Sequence, residues 1–138
     1  MPEPRVFFEL ATPNRLIVSE EVLEVVAPGV EGYFGVLPGH TPFLTSLQSG
    51  EVSYRGGRGE QYLAVTGGFA EVRADRVVVL ADSAERPEEI DRERALRARQ
   101  RAERRLAGKS DEEIDYTRAL VALSRALTRL QVASRQPR

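Results

Sequence analysis

Ten of the eleven glycines lie before residue 84, and only Gly108 lies after it. The chain changes character at residues 84–87. Before that point, short runs of Val, Leu and Phe alternate with turn-forming residues. After it come about fifty residues dense in Arg and Ala, with no proline between Pro87 and Pro137. Glycine and proline disfavour helix interiors, whereas β-branched runs between glycines suit strands. The switch predicts a β-rich module over 1–84 and a helical module over 85–138.

The first module reads as a series of strands. Phe7, Phe8 and Leu10 form an apolar run broken at Pro13-Asn14-Arg15, and Leu16-Ile17-Val18 returns from it as a hairpin. Further runs cover 22–26, 33–37, 43–47, 51–55, 62–66, 69–73 and 77–80. Turn signals recur roughly every eight to twelve residues, the cadence of a sandwich or barrel. No gap before residue 84 holds a crossover helix, so parallel βαβ units are excluded. The expected fold is an N-terminal antiparallel β-sandwich or barrel followed by a C-terminal antiparallel two-helix hairpin.

In the second module Pro87 suits a first helical turn, and Glu85, Glu88, Glu89 and Asp91 put negative charge at the positive end of the helix dipole. This helix is expected to run to about Ala107 and to be capped by Gly108. Ser110 and Glu113 have the spacing of a capping box for a second helix that runs to about Val132. Ala95, Ala98, Ala102 and Leu106 make a thin apolar stripe on the first helix. Tyr116, Leu120, Leu123, Leu127 and Leu130 make a fuller one on the second. Alanine contacts contribute little transfer energy, which favours a marginal, movable hairpin over the alternative of a permanently packed bundle. A turn near Lys109 would bring Arg94 close to Arg125 and Arg129. Either an anion such as a polyphosphate bridges these guanidinium groups, or they splay outward and pair with Glu93 and Glu103. The residues alone weigh the two equally.

Charge is divided unevenly. Residues 1–82 carry six Arg against eleven Asp and Glu, a balance of −5; residues 83–138 carry thirteen Arg and one Lys against ten, a balance of +4. The asymmetry suits either different partners for the two halves or a solvated Arg/Glu helix surface. The absence of cysteine and the single histidine rule out disulfides, thiolate metal sites and a histidine metal centre. No run of about eighteen apolar residues could span a membrane, and the first residues lack the regions of a signal peptide, so a cytoplasmic or cytoplasm-facing location is expected. His40 has no nucleophile or orienting carboxylate at motif spacing and reads as a turn histidine bonded to backbone. Gly67-Gly68 lacks a following Gly-Lys-Ser/Thr and reads as a bulge or close backbone approach. A nucleic-acid-binding module would be net basic, against a pI of about 5.9. A small enzyme on a β-scaffold would need convergent polar side chains on the strands, and none stand out.

One loop is unusually constrained: Gly32-Tyr33-Phe34-Gly35-Val36-Leu37-Pro38-Gly39-His40-Thr41-Pro42. With Gly50 downstream, Val65-Thr66-Gly67-Gly68-Phe69-Ala70-Glu71-Val72, Val79-Leu80-Ala81-Asp82 and Ile90-Asp91 with Arg94-Ala95, it resembles the epsilon subunits of rotary ATP synthases along essentially the whole chain. The resemblance implies a non-catalytic central-stalk subunit at the cytoplasmic face of the bacterial inner membrane, with no metal site and no required cofactor. Its sandwich would bind the gamma subunit and sit on the proteolipid c-ring, with Glu31, Tyr33 and His40 as ring contacts. Tyr33 departs from the family, which often has an acidic residue there. The hairpin would either fold on the sandwich or extend along gamma into the alpha/beta head, where Arg118, Arg125 and Arg129 would meet acidic beta segments and block hydrolysis. The (Ile/Leu)-Asp-x-x-Arg-Ala motif, intact here, implies regulatory ATP held by Glu85, Ile90, Asp91, Arg94, Ala95, Arg101, Arg125 and Arg129. Neither nucleic-acid binding nor membrane insertion is implied.

Overall fold

Alternation sets the strands. In β1 (Val6–Ala11), Val6, Phe8 and Leu10 are buried while Phe7, Glu9 and Ala11 are only partly so, the two-residue period of a strand with one face inward. The computed structural model describes residues 4–108 and 115–136. Nine further strands follow: β2 (Leu16–Val22), β3 (Glu24–Gly29), β4 (Gly32–Val36), β5 (Phe43–Leu47), β6 (Gly50–Gly56), β7 (Gly59–Val65), β8 (Gly68–Val72), β9 (Arg76–Ala81) and the two-residue β10 (Ala84–Glu85). They form one hydrogen-bonded path, β10-β7-β6-β3-β5-β8-β9-β1-β2, with β4 attached to β3. The path nearly breaks at its middle, where β3 meets β5 only through Gly29 and Leu47. It folds over there into two layers. Phe8 of β1 and Tyr54 of β6, on strands that never pair, meet edge-on at 5.2 Å across the interior.

The antiparallel sandwich is as expected, with one exception. β1 and β9 pair in parallel, Phe8 beside Val77 and Leu10 beside Val79. The connection between them is the rest of the sandwich rather than a crossover helix, so the argument against βαβ units holds while uniform antiparallel pairing does not. The glycine pair is a close approach: a Cβ on Gly68, whose φ is +114°, would overlap the Leu80 carbonyl oxygen and the Ala81 backbone.

The first helix starts later than the sequence suggests. Pro87–Glu89 is a single 3-10 turn, and α1 (Arg92–Leu106) begins only after Asp91, whose carboxylate accepts the Arg94 amide at 3.1 Å. The chain leaves α1 through Gly108 at a φ of +73°, the left-handed geometry expected of it. The proposed turn at Lys109 and the Ser110–Glu113 capping box lie outside the described residues. The described start of α2 (Tyr116–Ala133) is instead capped by Asp115, which accepts the Arg118 amide.

The leucine stripe on α2 is covered only in part, with Leu123 and Leu130 half-buried. Tyr116, Leu120 and Leu127 are exposed, and Ala119, Ala126 and Ala133, seven residues apart, are buried. Ala95 and Ala102 repeat the same spacing on α1. Alanine lets two helix backbones approach closely, and leucine in the seam would hold them apart. Arg92 of α1 donates to the Ala133 carbonyl at 2.8 Å, bringing the start of one helix to the end of the other in an antiparallel pair. None of these helical residues belongs to the sandwich core, which is drawn wholly from residues 6–84.

Candidate functional site

Where the hairpin meets the sandwich there is a cavity of about 560 Å³, lined by Glu85, Glu89, Asp91, Arg94, Ala95, Arg97, Ala98, Arg101 and Arg129. Glu85 arrives on β10, held in the sheet by pairing with Ala64 of β7. The 3-10 turn supplies Glu89, and the cap of α1 supplies Asp91. Arg94, Arg97, Ala98 and Arg101 recur at three- and four-residue steps along one side of α1. Arg129 enters from α2 and donates to the Glu85 carboxylate at 2.6 Å. Four guanidinium groups thus face three carboxylates. The surplus cation, the planar donor forks and the alanine floor fit a polyphosphate. An anion would have to compete with Glu85 for Arg129.

Two further contacts brace the cavity wall. Arg15, from the β1–β2 turn, reaches Glu89 at 2.8 Å and also donates to the Ala84 carbonyl. That hydrogen bond holds the Glu89 carboxyl below its usual range, against the opposing effect of partial burial, and raises the already basic Arg15. Arg86 donates to the Ile17 carbonyl at 3.4 Å.

The sequence-derived ATP residues Glu85, Asp91, Arg94, Ala95, Arg101 and Arg129 come together here. Ile90 and Arg125 do not. Ile90 is half-buried and closes the 3-10 turn through its amide, and Arg125, one helical turn before Arg129, is exposed and outside the lining. Glu89, Arg97 and Ala98 were missed, although Arg97 and Ala98 lie one turn from Arg94 and that spacing could have found them. Arg94, Arg101 and Arg129 face the cavity, while Arg97 and Arg99 pair along the helix with Glu93 and Glu103. Of the arginines assigned to inhibition, Arg118 and Arg125 are exposed and Arg129 is engaged with Glu85.

Glu31 and Tyr33 are exposed at the β3–β4 end of the sandwich, and the Tyr33 hydroxyl accepts the Glu51 amide at 3.0 Å. His40 is half-buried and its Nδ1–H donates to the Thr41 carbonyl at 2.6 Å. Leu37, Phe43 and Leu44 are exposed nearby in sequence. A second apolar surface crosses the outer face of the sheet. Ser46, Phe69, Leu80, Ala11 and Leu16 are successive cross-strand partners, and Phe69, Leu80 and Leu16 are each more than half exposed. Among the described residues no cluster could hold a metal ion, and no helix is long and apolar enough to cross a membrane.

This two-part architecture matches known proteins throughout. Residues 5–87 match the beta-sandwich domain of the ATP synthase delta/epsilon chain, and residues 88–134 match its long alpha-helix domain. An ATP synthase epsilon chain of Dehalococcoides mccartyi is 49% identical over 128 residues, 93% of this chain and 91% of the relative. ATP synthase epsilon chain 2 of Syntrophotalea carbinolica is 51% identical over 127 residues, 92% of both chains. Among solved structures, a chain of the Euglena gracilis mitochondrial ATP synthase assembly containing OSCP, F1 and c-ring superposes with a TM-score of 0.80 at 25% identity, covering 97% of this chain and 84% of that one. The chain belongs to the ATP synthase delta/epsilon family, as an epsilon-type, non-catalytic subunit of that synthase.

Proposed function

We propose that this subunit works in the central stalk, peripheral to the membrane, as a coupling piece with a mobile regulatory arm. The outer apolar row of Leu16, Leu80 and Phe69 docks on the gamma subunit. It is a continuous cross-strand surface on the acidic module that its own chain leaves uncovered. The loop end, with Glu31, Tyr33 and His40, rests on the c-ring. The hairpin folds on the sandwich to permit turnover and extends along gamma into the alpha/beta head to inhibit ATP hydrolysis.

One observation carries this reading: the sandwich core contains no helical residue, and two ion pairs, Arg129 with Glu85 and Arg135 with Glu51, tie the hairpin to the sheet. Such a joint can open without unmaking either body. ATP in the cavity would favour the folded form, and only by its differential affinity for that form. When the arm extends, Arg118, Arg125 and Arg129 meet acidic segments of the beta subunits. The test is ATP hydrolysis by the assembled synthase with residues 88–138 deleted. Raised hydrolysis with intact assembly is expected; unchanged hydrolysis overturns the regulatory role.

A further inference from the structure

The cavity is not the hairpin's only ionic attachment. Just past α2, Arg135 lays its guanidinium on Glu51 of β6. Nε reaches Oε2 and Nη2 reaches Oε1, both at 3.1 Å. The same guanidinium lies 4.6 Å above the Tyr62 ring centroid. Glu51 is well shielded, with its side chain 10% exposed. Its hydrogen bond raises the Arg135 pKa further.

The sheet spaces this contact relative to the first. Glu51 and Glu85 both pair with Ala64, one from β6 and one from β10. They therefore flank a small residue in a single cross-strand row, about 10 Å apart at two strand spacings. Arg129 lies within α2, and Arg135 lies two residues past its last residue, Ala133. Two acidic sockets on the sheet thus meet two arginines, one on α2 and one just past it. They differ in one respect: Arg129 and Glu85 line the cavity, and Arg135 and Glu51 do not.

We propose that Arg135, seated on Glu51 and Tyr62, is a second latch that holds the hairpin to the sandwich independently of any ligand in the cavity. An anion that draws Arg129 from Glu85 leaves this latch closed. The end of α2 stays in register while the cavity fills, and the latch sets how readily the arm opens when the cavity is empty. The proposal rests on the mobile-arm reading, but it assigns baseline opening to a pair of residues outside the cavity.

Hydrogen exchange of α2 amides in the full chain tests it, with β8 and β9 amides as the internal reference for an intact sandwich. Arg135→Gln and Glu51→Gln should each raise α2 opening roughly 5- to 10-fold. The double variant should open no more than Arg135→Gln alone, because that change already removes the contacts to both Glu51 and Tyr62. Arg135→Lys, which keeps the charge and loses the fork, should fall between. Single variants that exchange like the parent, or a double variant whose effect is the product of the two, overturns the latch. ATP is then added to each protein. Protection raised by a similar factor in parent and Arg135→Gln supports independence, and protection raised in the parent alone contradicts it. If ATP changes none of them while the variants still open faster, the latch stands and nucleotide binding in the cavity falls.

Discussion

Gly50 shows how a single residue can be dictated by its neighbours. A Cβ there would stand 2.6 Å from Pro28 Cβ and 2.7 Å from the Tyr33 hydroxyl. Gly50→Ala should therefore destabilise the sandwich by about 1–3 kcal/mol in denaturant unfolding, as overpacking does. Tyr33→Phe in the same background should recover only part, because Pro28 remains. The spacing from the Gly32–Pro42 loop to Gly50 was visible in the sequence, but its cause was not: the two residues that crowd Gly50 lie 22 and 17 positions upstream. The arginines give a second residue-scale test. Arg94→Ala and Arg129→Ala should each weaken ATP binding about 10- to 100-fold by calorimetric titration, the loss of charged hydrogen bonds. Arg125→Ala, outside the cavity, should leave binding within about twofold. Equal losses at all three positions would mean that Arg125 swings in.

At the scale of elements, the helix pair reverses the usual ranking of side chains. Leucine buries more area than alanine, so a sequence pattern points to the leucines of α2, yet close backbone approach selects Ala119, Ala126 and Ala133 for the seam. Ala126→Leu should loosen the hairpin and raise hydrogen exchange in both helices, whereas Leu127→Ala, at a residue 46% exposed, should change exchange little. Long-range features were illegible for a related reason. The parallel β1–β9 pair joins residues some seventy apart, and neither carries a mark of its partner. The start of α1 was misplaced because Pro87 and the acidic run suit a 3-10 turn as well as an α-helix, and only the Asp91 cap distinguishes them. The Arg15–Glu89 bridge was equally invisible, and it makes stability depend on pH. Glu89 titrates below its ordinary value of 4.5 in the folded protein, so its contribution is present above that value and is lost as the pH falls through the lowered one. The melting-temperature gap between the parent and Glu89→Gln should be widest near neutrality and close as the solution is acidified below the ordinary carboxylate value of 4.5. A gap unchanged by acid would show that the bridge contributes nothing through charge.

For the whole molecule, the division of glycine, proline and charge foretold two bodies, and the structure adds how they are joined. The sandwich core contains no helical residue, and the hairpin rests on the sheet through α2 against β6 and β7. Between them lie Arg129 on Glu85, Arg135 on Glu51 and Tyr62, and a cation-rich cavity. Ion pairs of this kind weaken with salt far more than apolar packing does. The central claim is that this joint opens and closes in the working synthase. Because the chain has no cysteine, Arg58→Cys in an exposed β-turn and Thr117→Cys near the start of α2 can carry a dye pair without competing thiols. Single-molecule energy transfer between them in the assembled enzyme should show two populations, with ATP enriching the one seen in the isolated folded chain. A single population, unmoved by nucleotide or salt, would contradict the account.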